Sequence, residues 1–305
     1  MRHSAHTGAL VRGAVTAAST LIVALVVGCG AERPDDGTLP VVVVSIEPQA
    51  YFVERIAEGR VSVSVLVGPG QSPHSYEPTP RQMADLSAAS MWLCVGAEFE
   101  KSLRPKAAAL YKSLPIVDTT TGVQYRKLEA HAHDDGDGDH DEEGGLDPHV
   151  WLGRQAVKAM AANIRDALAA ADPAGEDAYA ANHDAFVRDA DAAYDELASA
   201  LAGLRGTTVF VYHPAFGYLL DEFGIAQEAV ETGGKEPTQK ALAAMIKAAR
   251  EDGASLIFVQ AQFPTSAAEA VAEAIGATVV PIDPLARDWL DNLRRIGDEL
   301  ARMGP

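Results

Sequence analysis

The sequence predicts an α/β protein with two lobes, each a parallel sheet flanked by helices, joined by one long linker helix. Short apolar runs alternate with helical patterns before residue 172, which is typical of parallel strands with crossover helices. A continuous helical pattern over 173–204 follows, and a second alternating set occupies 205–305. The length of 305 residues also favours two domains.

The first lobe is predicted over residues 40–172 and contains four apolar runs of strand length. Pro69 and Gly70 end the second run, because this pair favours a turn. Helical periodicity fills the intervals between the runs. Strands are expected at 41–45, 61–67, 91–95 and 115–118, and helices at 51–58, 79–89, 99–112 and 154–171.

The linker helix is predicted from one uninterrupted pattern that extends from Pro173 to Leu204. Apolar side chains recur along it at helical spacing. Pro173 suits the first turn of a helix, and Gly206 supplies a stop. At the usual rise per residue such a helix reaches about 45–50 Å. This is longer than a small domain, so we expect the helix to bridge two domains.

The second lobe is predicted over residues 205–305 and repeats the alternation of the first. Strands are expected at 208–212, 255–260 and 278–282, and helices at 216–223, 238–251, 265–275 and from Arg287 onward. The two lobes therefore share one architecture.

The N-terminus predicts export. Residues 1–28 combine two arginines with an apolar stretch, 14–27, that is too short to span a bilayer comfortably. The stretch ends in Gly28-Cys29, which resembles the lipobox of bacterial lipoproteins and implies acylation of Cys29. Residues 29–39 would then be a polar tether on a membrane, facing the periplasm or the cell exterior. The alternative is an ordinary cleaved signal with an incidental cysteine.

The net charge of the chain bears on which partners it can bind. A formal net charge of −18 repels phosphate backbones, so nucleic acid is not expected as a partner. The acidity suits a protein that attracts cations, although solubility alone also explains it.

The chain has two cysteines, and with Cys29 lipidated Cys94 has none to pair with, so we expect no disulfide. We expect a monomer.

Three histidines and one aspartate lie at the ends of apolar runs: His74, His149, His213 and Asp283. Singly, each has an ordinary explanation as an idle loop residue, a packing histidine or a turn residue before proline. Together they lie near strand exits, the edge where open α/β sheets bind ligands. Three imidazoles and a carboxylate complete a tetrahedral shell for zinc. The sequence therefore predicts a metal site between the lobes.

Four segments carry a more specific resemblance: 73–78 (PHSYEP), 147–151 (DPHVW), 212–218 (YHPAFGY) and 280–285 (VPIDPL). On them the chain resembles the solute-binding proteins of bacterial zinc/manganese ABC importers, over essentially its whole mature length. The resemblance implies two α/β lobes joined by a rigid helix, and a membrane permease as partner. It also implies His74, His149, His213 and Asp283 as metal ligands.

The third ligand bears on which metal is carried. Manganese-binding members of the family generally have glutamate where this chain has His213. Imidazole suits zinc and carboxylate oxygen suits manganese, so we expect Zn²⁺, with Mn²⁺ or another divalent metal as the alternative.

An acidic loop over 129–146 precedes the second ligand and contains His131, His133 and His140. Such a composition cannot form a core. We expect accessory metal capture, because tethered weak ligands raise the local metal concentration. Zinc-binding family members commonly carry such a loop, and a merely solvated charge run is the alternative.

An enzyme is the main rival, since histidines and an aspartate can support zinc-dependent hydrolysis. Catalytic zinc keeps a position open for water, whereas four protein ligands are predicted here. The sequence contains no His-Glu-x-x-His, Gly-x-Ser-x-Gly or phosphate-loop motif, so we expect no enzyme. An adhesin or a metal buffer would share the same site, and a cognate permease would separate a transport subunit from both.

Overall fold

The computed structural model describes residues 39–128, 145–231, 238–263 and 266–304. The first parallel sheet has the order β2-β1-β3-β4. Its strands are β1 (Val41–Ile46), β2 (Ser62–Val67), β3 (Met91–Cys94) and β4 (Ile116–Asp118). The helices around it are α1 (Glu47–Ala57), α2 (Pro80–Ala88), α3 (Glu98–Leu110) and α4 (Arg154–Ala171).

The second sheet repeats this topology with the order β6-β5-β7-β8, again all parallel. Its strands are β5 (Thr208–Val211), β6 (Ala226–Ala229), β7 (Leu256–Gln260) and β8 (Thr278–Ile282). After the linker helix α5 (Glu176–Ala200), the helices are α6 (Gly217–Phe223), α7 (Gln239–Glu251), α8 (Ser266–Ile275) and α9 (Trp289–Ala301). The predicted fold class is confirmed.

The two strand orders place the ligand-binding edge. In each sheet the chain runs outward from its first strand to one side, then crosses to the other side of that strand. The strand order therefore reverses beside β1 in one sheet and beside β5 in the other. Open α/β sheets bind ligands at the carboxyl ends of strands beside such a reversal. Each half of the molecule has one such reversal of strand order.

The linker helix is shorter than predicted. The expected continuous helix over 173–204 is a regular α-helix only from Glu176 to Ala200, with 3₁₀ turns at Pro173–Gly175 and Ala202–Leu204. Its 25 residues extend about 37 Å instead of 45–50 Å. Helical periodicity in the side chains does not distinguish α from 3₁₀ geometry over a single terminal turn.

Strand β6 was not predicted. Its sequence Ala-Gln-Glu-Ala lacks β-branched and aromatic residues, so local propensity gives no strand signal. Pairing with β5 forms it, from Thr208 opposite Ala226 to Val211 opposite Ala229. Gly224, in the left-handed region at φ 69°, ends α6 and turns the chain into the strand.

One aromatic cluster joins the two halves. Trp289 at the start of α9 is fully buried against Phe52 of α1 and Phe186 of α5, with ring centroids 5.2 and 5.9 Å away. Its indole N–H donates to the carbonyl of Trp151 at 2.8 Å, and the Trp151 indole donates to the carbonyl of Pro284 at 2.7 Å. Helix α9 therefore packs on the first half, and one cluster of buried apolar residues extends through both halves, while a second, around Phe210 and Ile257, lies within the second half.

Cys94 lies in β3 as a free, fully buried thiol whose pKa is raised by burial. It belongs to the core, as its apolar run predicts. Among the described helices, none has the length and apolarity needed to cross a membrane.

Replacing Trp289 with alanine should lower the free energy of unfolding by about 3–5 kcal/mol, because a large buried side chain leaves a cavity. Urea unfolding in the presence of EDTA measures this without any contribution from bound metal. Leu110→Ala, at a side chain 66% exposed, is the matched control and should change little. A loss at position 289 no larger than at position 110 would contradict the central role of this cluster.

Candidate metal centre

Three of the predicted ligands come together at the carboxyl edges of the two sheets. His74 lies in the loop after β2, His149 directly precedes the 3₁₀ turn Val150–Leu152, and His213 follows β5. The Nε2 atom of His213 lies 3.1 Å from Nε2 of His74 and 3.1 Å from Nε2 of His149. Ligands about 2.0–2.1 Å from a tetrahedral zinc ion are about 3.3 Å apart. A slight spreading of the rings would admit such an ion.

The main chain around His213 is fixed by a buried glutamine at the end of β7. Gln260 Oε1 accepts from the backbone N–H of His213 at 3.1 Å, and Gln260 Nε2 donates to the His213 carbonyl at 2.6 Å. The imidazole also stacks on the Phe263 ring, with centroids 4.8 Å apart. These contacts hold the histidine at the strand exit.

Buried carboxylates orient two of the rings. His149 Nδ1 lies 2.7 Å from Asp147 Oδ1, and His213 Nδ1 lies 2.5 Å from Glu231 Oε2. A carboxylate at Nδ1 keeps the proton there and leaves the Nε2 lone pair for a metal. Both Nε2 atoms then point into the cluster as acceptors.

Burial sets the protonation state of the cluster. Desolvation, followed by repulsion from His213 and His149, lowers the pKa of His74 from 6.5 to about 4. Desolvation also lowers the pKa of His213, although Glu231 opposes the shift. Burial raises the pKa of Asp147, but its hydrogen bonds with His149 and Arg126 outweigh this and hold the pKa below 3.8. At neutral pH, therefore, His74 and His213 are neutral and Asp147 is charged.

The space beside the rings is small. A compartment of about 20 Å³ adjoins the three imidazoles and is walled by Trp151, Phe263, Pro284 and Leu285 among others. It has room for little more than one water molecule. A wider cavity of about 650 Å³ adjoins the same histidines, between Glu98, Tyr125 and Leu146. The smaller compartment suits a single ion, and the wider cavity leaves open space on another side of the same histidines.

Asp283 follows β8 as predicted, but its carboxylate is engaged elsewhere. Its Oδ1 accepts from the backbone N–H of Leu285 at 2.9 Å and from Gln262 Nε2 at 2.8 Å. Within the described ranges, the cluster of candidate ligand atoms within 4.8 Å of one another consists of the three histidines. The turn contact that the sequence left open for Asp283 is present, and its role as fourth ligand stays a prediction.

Sequence reasoning missed the groups that position the ligands. Asp147 stands two residues before His149 in the Asp-Pro-His motif, and that spacing was its available signal. Glu231 follows β6, the strand without a local signal, so nothing in the sequence placed it beside His213. Gln260 was recognised only as the end of a strand.

Several predicted residues lie outside the described part of the chain. These are Cys29, at the proposed lipidation site, and the loop histidines His131, His133 and His140. The flanks of the acidic segment are described: Leu128 N–H donates to the Gly145 carbonyl at 2.8 Å, and Lys127 pairs with Leu146. These flanks lie beside the wider cavity, which Leu128 and Gly145 help to line.

The stability of the metal-free protein should fall as the pH falls from about 6.5 towards 4. The unfolded chain protonates His74 near 6.5, whereas the folded state resists protonation until about pH 4. The loss should be about 1–2 kcal/mol, discounted because the ring is partly exposed. Urea unfolding across this pH range in EDTA measures it. His74→Asn should flatten the profile, His183→Asn on α5 should not, and equal slopes in wild type and His74→Asn would contradict the assignment.

Comparison with known proteins adds family relationships. The family model for "zinc-uptake complex component A, periplasmic" (ZnuA) matches residues 42–303. The zinc-binding lipoprotein AdcA of Streptococcus pneumoniae is 25% identical over 272 residues, covering 88% of this chain and 54% of that protein. The manganese-binding lipoprotein MntA of Halalkalibacterium halodurans is 31% identical over 173 residues, 55% of this chain and 53% of that protein. The chain spans about half the length of these curated relatives.

Solved structures agree on the fold. A crystal structure of ZnuA superimposes with a TM-score of 0.79 at 34% identity, covering 87% of this chain and 99% of that one. A zinc-bound ZnuA deletion mutant gives a TM-score of 0.79 at 33% identity, covering 87% and 98%. The periplasmic zinc-binding protein TroA of Treponema pallidum, at 20% identity, shares the fold with a TM-score of 0.76 over 87% of this chain and 99% of that one. Because the family model matches nearly all of the described chain, the protein belongs to the ZnuA family of zinc-uptake components.

Proposed function

We propose that this protein captures Zn²⁺ outside the cytoplasm, between its two lobes, and delivers it to the membrane permease of an ABC importer. The observation that carries the proposal is the convergence of three imidazole Nε2 atoms from both halves, two of them 3.1 Å from the third. Carboxylates at two of the Nδ1 atoms leave the corresponding Nε2 lone pairs free for an ion. Membership of the ZnuA family and a zinc-bound structural relative support zinc as the cargo.

Zinc is favoured over manganese by the donor atoms. Three imidazoles suit zinc, whereas manganese prefers carboxylate oxygen. Asp147 and Glu231 are close, but each is engaged with an imidazole Nδ1. The resemblance to a manganese-binding lipoprotein keeps Mn²⁺ as the second candidate.

We further propose binding and release without catalysis. The family is one of zinc-uptake components, and the compartment on one side of the rings, of about 20 Å³, has room for little more than an ion. Of the carboxylates near the rings, Asp147 and Glu231 accept hydrogen bonds from the ligand histidines, and Glu98, which lines both cavities, pairs with Lys101 at 2.8 Å. Zinc-dependent hydrolysis is therefore the weaker reading, and turnover of ester or peptide substrates by the zinc-loaded protein would support it.

For its location, we propose that Cys29 carries a lipid anchor and that the protein works as a monomer on the outer side of a membrane. The family is periplasmic, and the AdcA and MntA relatives are lipoproteins. Acyl labelling that Cys29→Ala abolishes would support the anchor, and an unlabelled wild-type protein would refute it.

His213→Ala should weaken zinc binding by more than about 100-fold, beyond the 10–100-fold typical for a residue that only supports a ligand. The measurement is a competition titration of metal-free protein with a chromophoric chelator, with zinc and manganese compared directly. His183→Ala, at a histidine outside the cluster, is the matched control. Unchanged affinity in His213→Ala would remove this residue from the ligand set, and preference for manganese would overturn the choice of metal.

Asp283 is proposed as the fourth ligand, reached when its carboxylate exchanges the contact with Gln262 for the ion. Asp283→Ala should then weaken zinc binding about tenfold or more, since a first-coordination ligand is lost. The same titration decides this. If the zinc affinity of Asp283→Ala stays within about threefold of wild type, Asp283 is only a turn residue and the ion has three protein ligands.

The loop histidines are proposed as accessory zinc ligands. Deleting residues 131–143 should leave the tight site intact while slowing cellular uptake when zinc is scarce, because tethered weak ligands act by local concentration. Titration of the deletion variant and growth in chelated medium measure the two effects. Loss of the tight site on deletion would show that the loop supplies primary ligands.

A further inference from the structure

The carboxylate that orients His149 is shared with an arginine. Asp147 Oδ1 accepts from the backbone N–H of His149 at 2.9 Å and lies 2.7 Å from its Nδ1, while Oδ2 binds Arg126 Nη1 at 3.0 Å. The Asp147 side chain is 0% exposed and that of Arg126 is 14% exposed. A buried carboxylate needs such a charged partner, because removing one partner leaves the other unpaired in a medium of low dielectric.

The same guanidinium also reaches the second half of the molecule. Arg126 Nε binds Asp221 Oδ2 of α6 at 2.7 Å, and Nη2 lies 3.4 Å from Asp221 Oδ1. The Asp221 side chain is 54% exposed, so this arm faces solvent while the Asp147 arm is buried. Arg126 therefore connects the support of His149 to the helix that follows the His213 loop.

The main chains are joined at the same point. The Tyr218 hydroxyl of α6 accepts from the backbone N–H of Arg126 at 3.1 Å and donates to the carbonyl of Asp147 at 2.8 Å. The Asp147 N–H in turn donates to the carbonyl of Arg126 at 3.0 Å. Tyr218, from the second half, therefore hydrogen-bonds to both chain segments, the one that carries Arg126 and the one that carries Asp147.

Gly217 makes room for this arrangement. A Cβ at Gly217 would lie 1.8 Å from Arg126 Nη1 and 2.4 Å from Cζ, so any side chain there would displace the guanidinium. Gly217 is the first residue of α6 and stands only four positions after His213. The helix start is therefore shaped to accept the arginine close to a proposed metal ligand.

We propose that Arg126 is a positioning residue of the metal site, which slows metal release by holding Asp147 on His149 and tying that pair to α6. The inference rests on the proposed metal-binding function and deepens it. His149 and His213 are linked twice, once through the ion and once through Arg126 with Asp221. Loss of the second link allows the two imidazoles to separate, so the ion leaves faster.

The test compares zinc affinity and dissociation rate in full-length variants, by chelator competition and stopped flow. Arg126→Met should weaken zinc binding about 10–100-fold, the usual range for partners behind a ligand, mainly through faster release. Arg126→Lys should weaken zinc binding less than Arg126→Met does, since lysine keeps the positive charge although it lacks the guanidinium that binds two carboxylates at once. Gly217→Ala should act in the same direction. Arg165→Met, whose side chain pairs with its neighbour Asp166 on α4, is the matched control and should bind as wild type.

A double-mutant comparison separates positioning from general loss of stability. If Arg126 acts through Asp147, Arg126→Met should weaken binding by less than about threefold in an Asp147→Asn background, because the shared interaction is already lost. Additive effects, or an unchanged affinity in Arg126→Met, would overturn the inference. Should Arg126→Met not fold, the exposed Asp221→Asn tests the solvent-facing arm, with release expected about threefold faster or more and an unchanged rate counting against it. A wild-type protein without a tight zinc site would overturn the proposed function as well.

Discussion

Three imidazole nitrogens held within 4.8 Å of one another are the constraint on which the rest of the site depends. Two of them lie 3.1 Å from the Nε2 atom of His213, and protonation of more than one ring would place like charges in contact. Burial keeps His74 and His213 neutral, and the carboxylates of Asp147 and Glu231 fix the proton of His149 and His213 on the far nitrogen. The site therefore directs nitrogen lone pairs toward one point, which is the arrangement that binds a divalent cation such as zinc.

The topology explains why distant segments supply these groups. Each half reverses its strand order beside its first strand, and the two carboxyl edges meet where the histidines lie. His74 and His149 come from the first half and His213 from the second, while Gln260 and Glu231 are brought to His213 by the strands on either side of β5. Parallel pairing brings Gln260 and Glu231 to His213, and the meeting of the two sheet edges brings His74 and His149 to the same place.

Much of this could be predicted from the sequence, and the exceptions have physical causes. Apolar runs such as 41–45 and 208–212 predict strands, and the four candidate ligands near strand exits stand out as a set, although each singly has an ordinary explanation. Strand β6 carries no propensity signal, so Glu231 beside it could not be placed. Helical periodicity overestimated α5, since a terminal 3₁₀ turn has nearly the same side-chain pattern. The contacts of Asp283 depend on side-chain geometry, which spacing along the chain does not determine.

The two tryptophans at the junction, Trp151 and Trp289, limit how far one half can move away from the other. Trp289 is embedded among rings of α1 and α5, and Trp151 and Trp289 each donate an indole hydrogen bond across the junction between the halves. A wide swing of one half away from the other would expose this cluster to water and break both bonds, at a cost of several kcal/mol, since loss of one large buried ring alone costs about 3–5 kcal/mol. We therefore expect the loaded and empty forms to have similar overall dimensions. Discrimination between them by any receptor has to depend on a few side chains and loops around the cleft, and not on a change of shape.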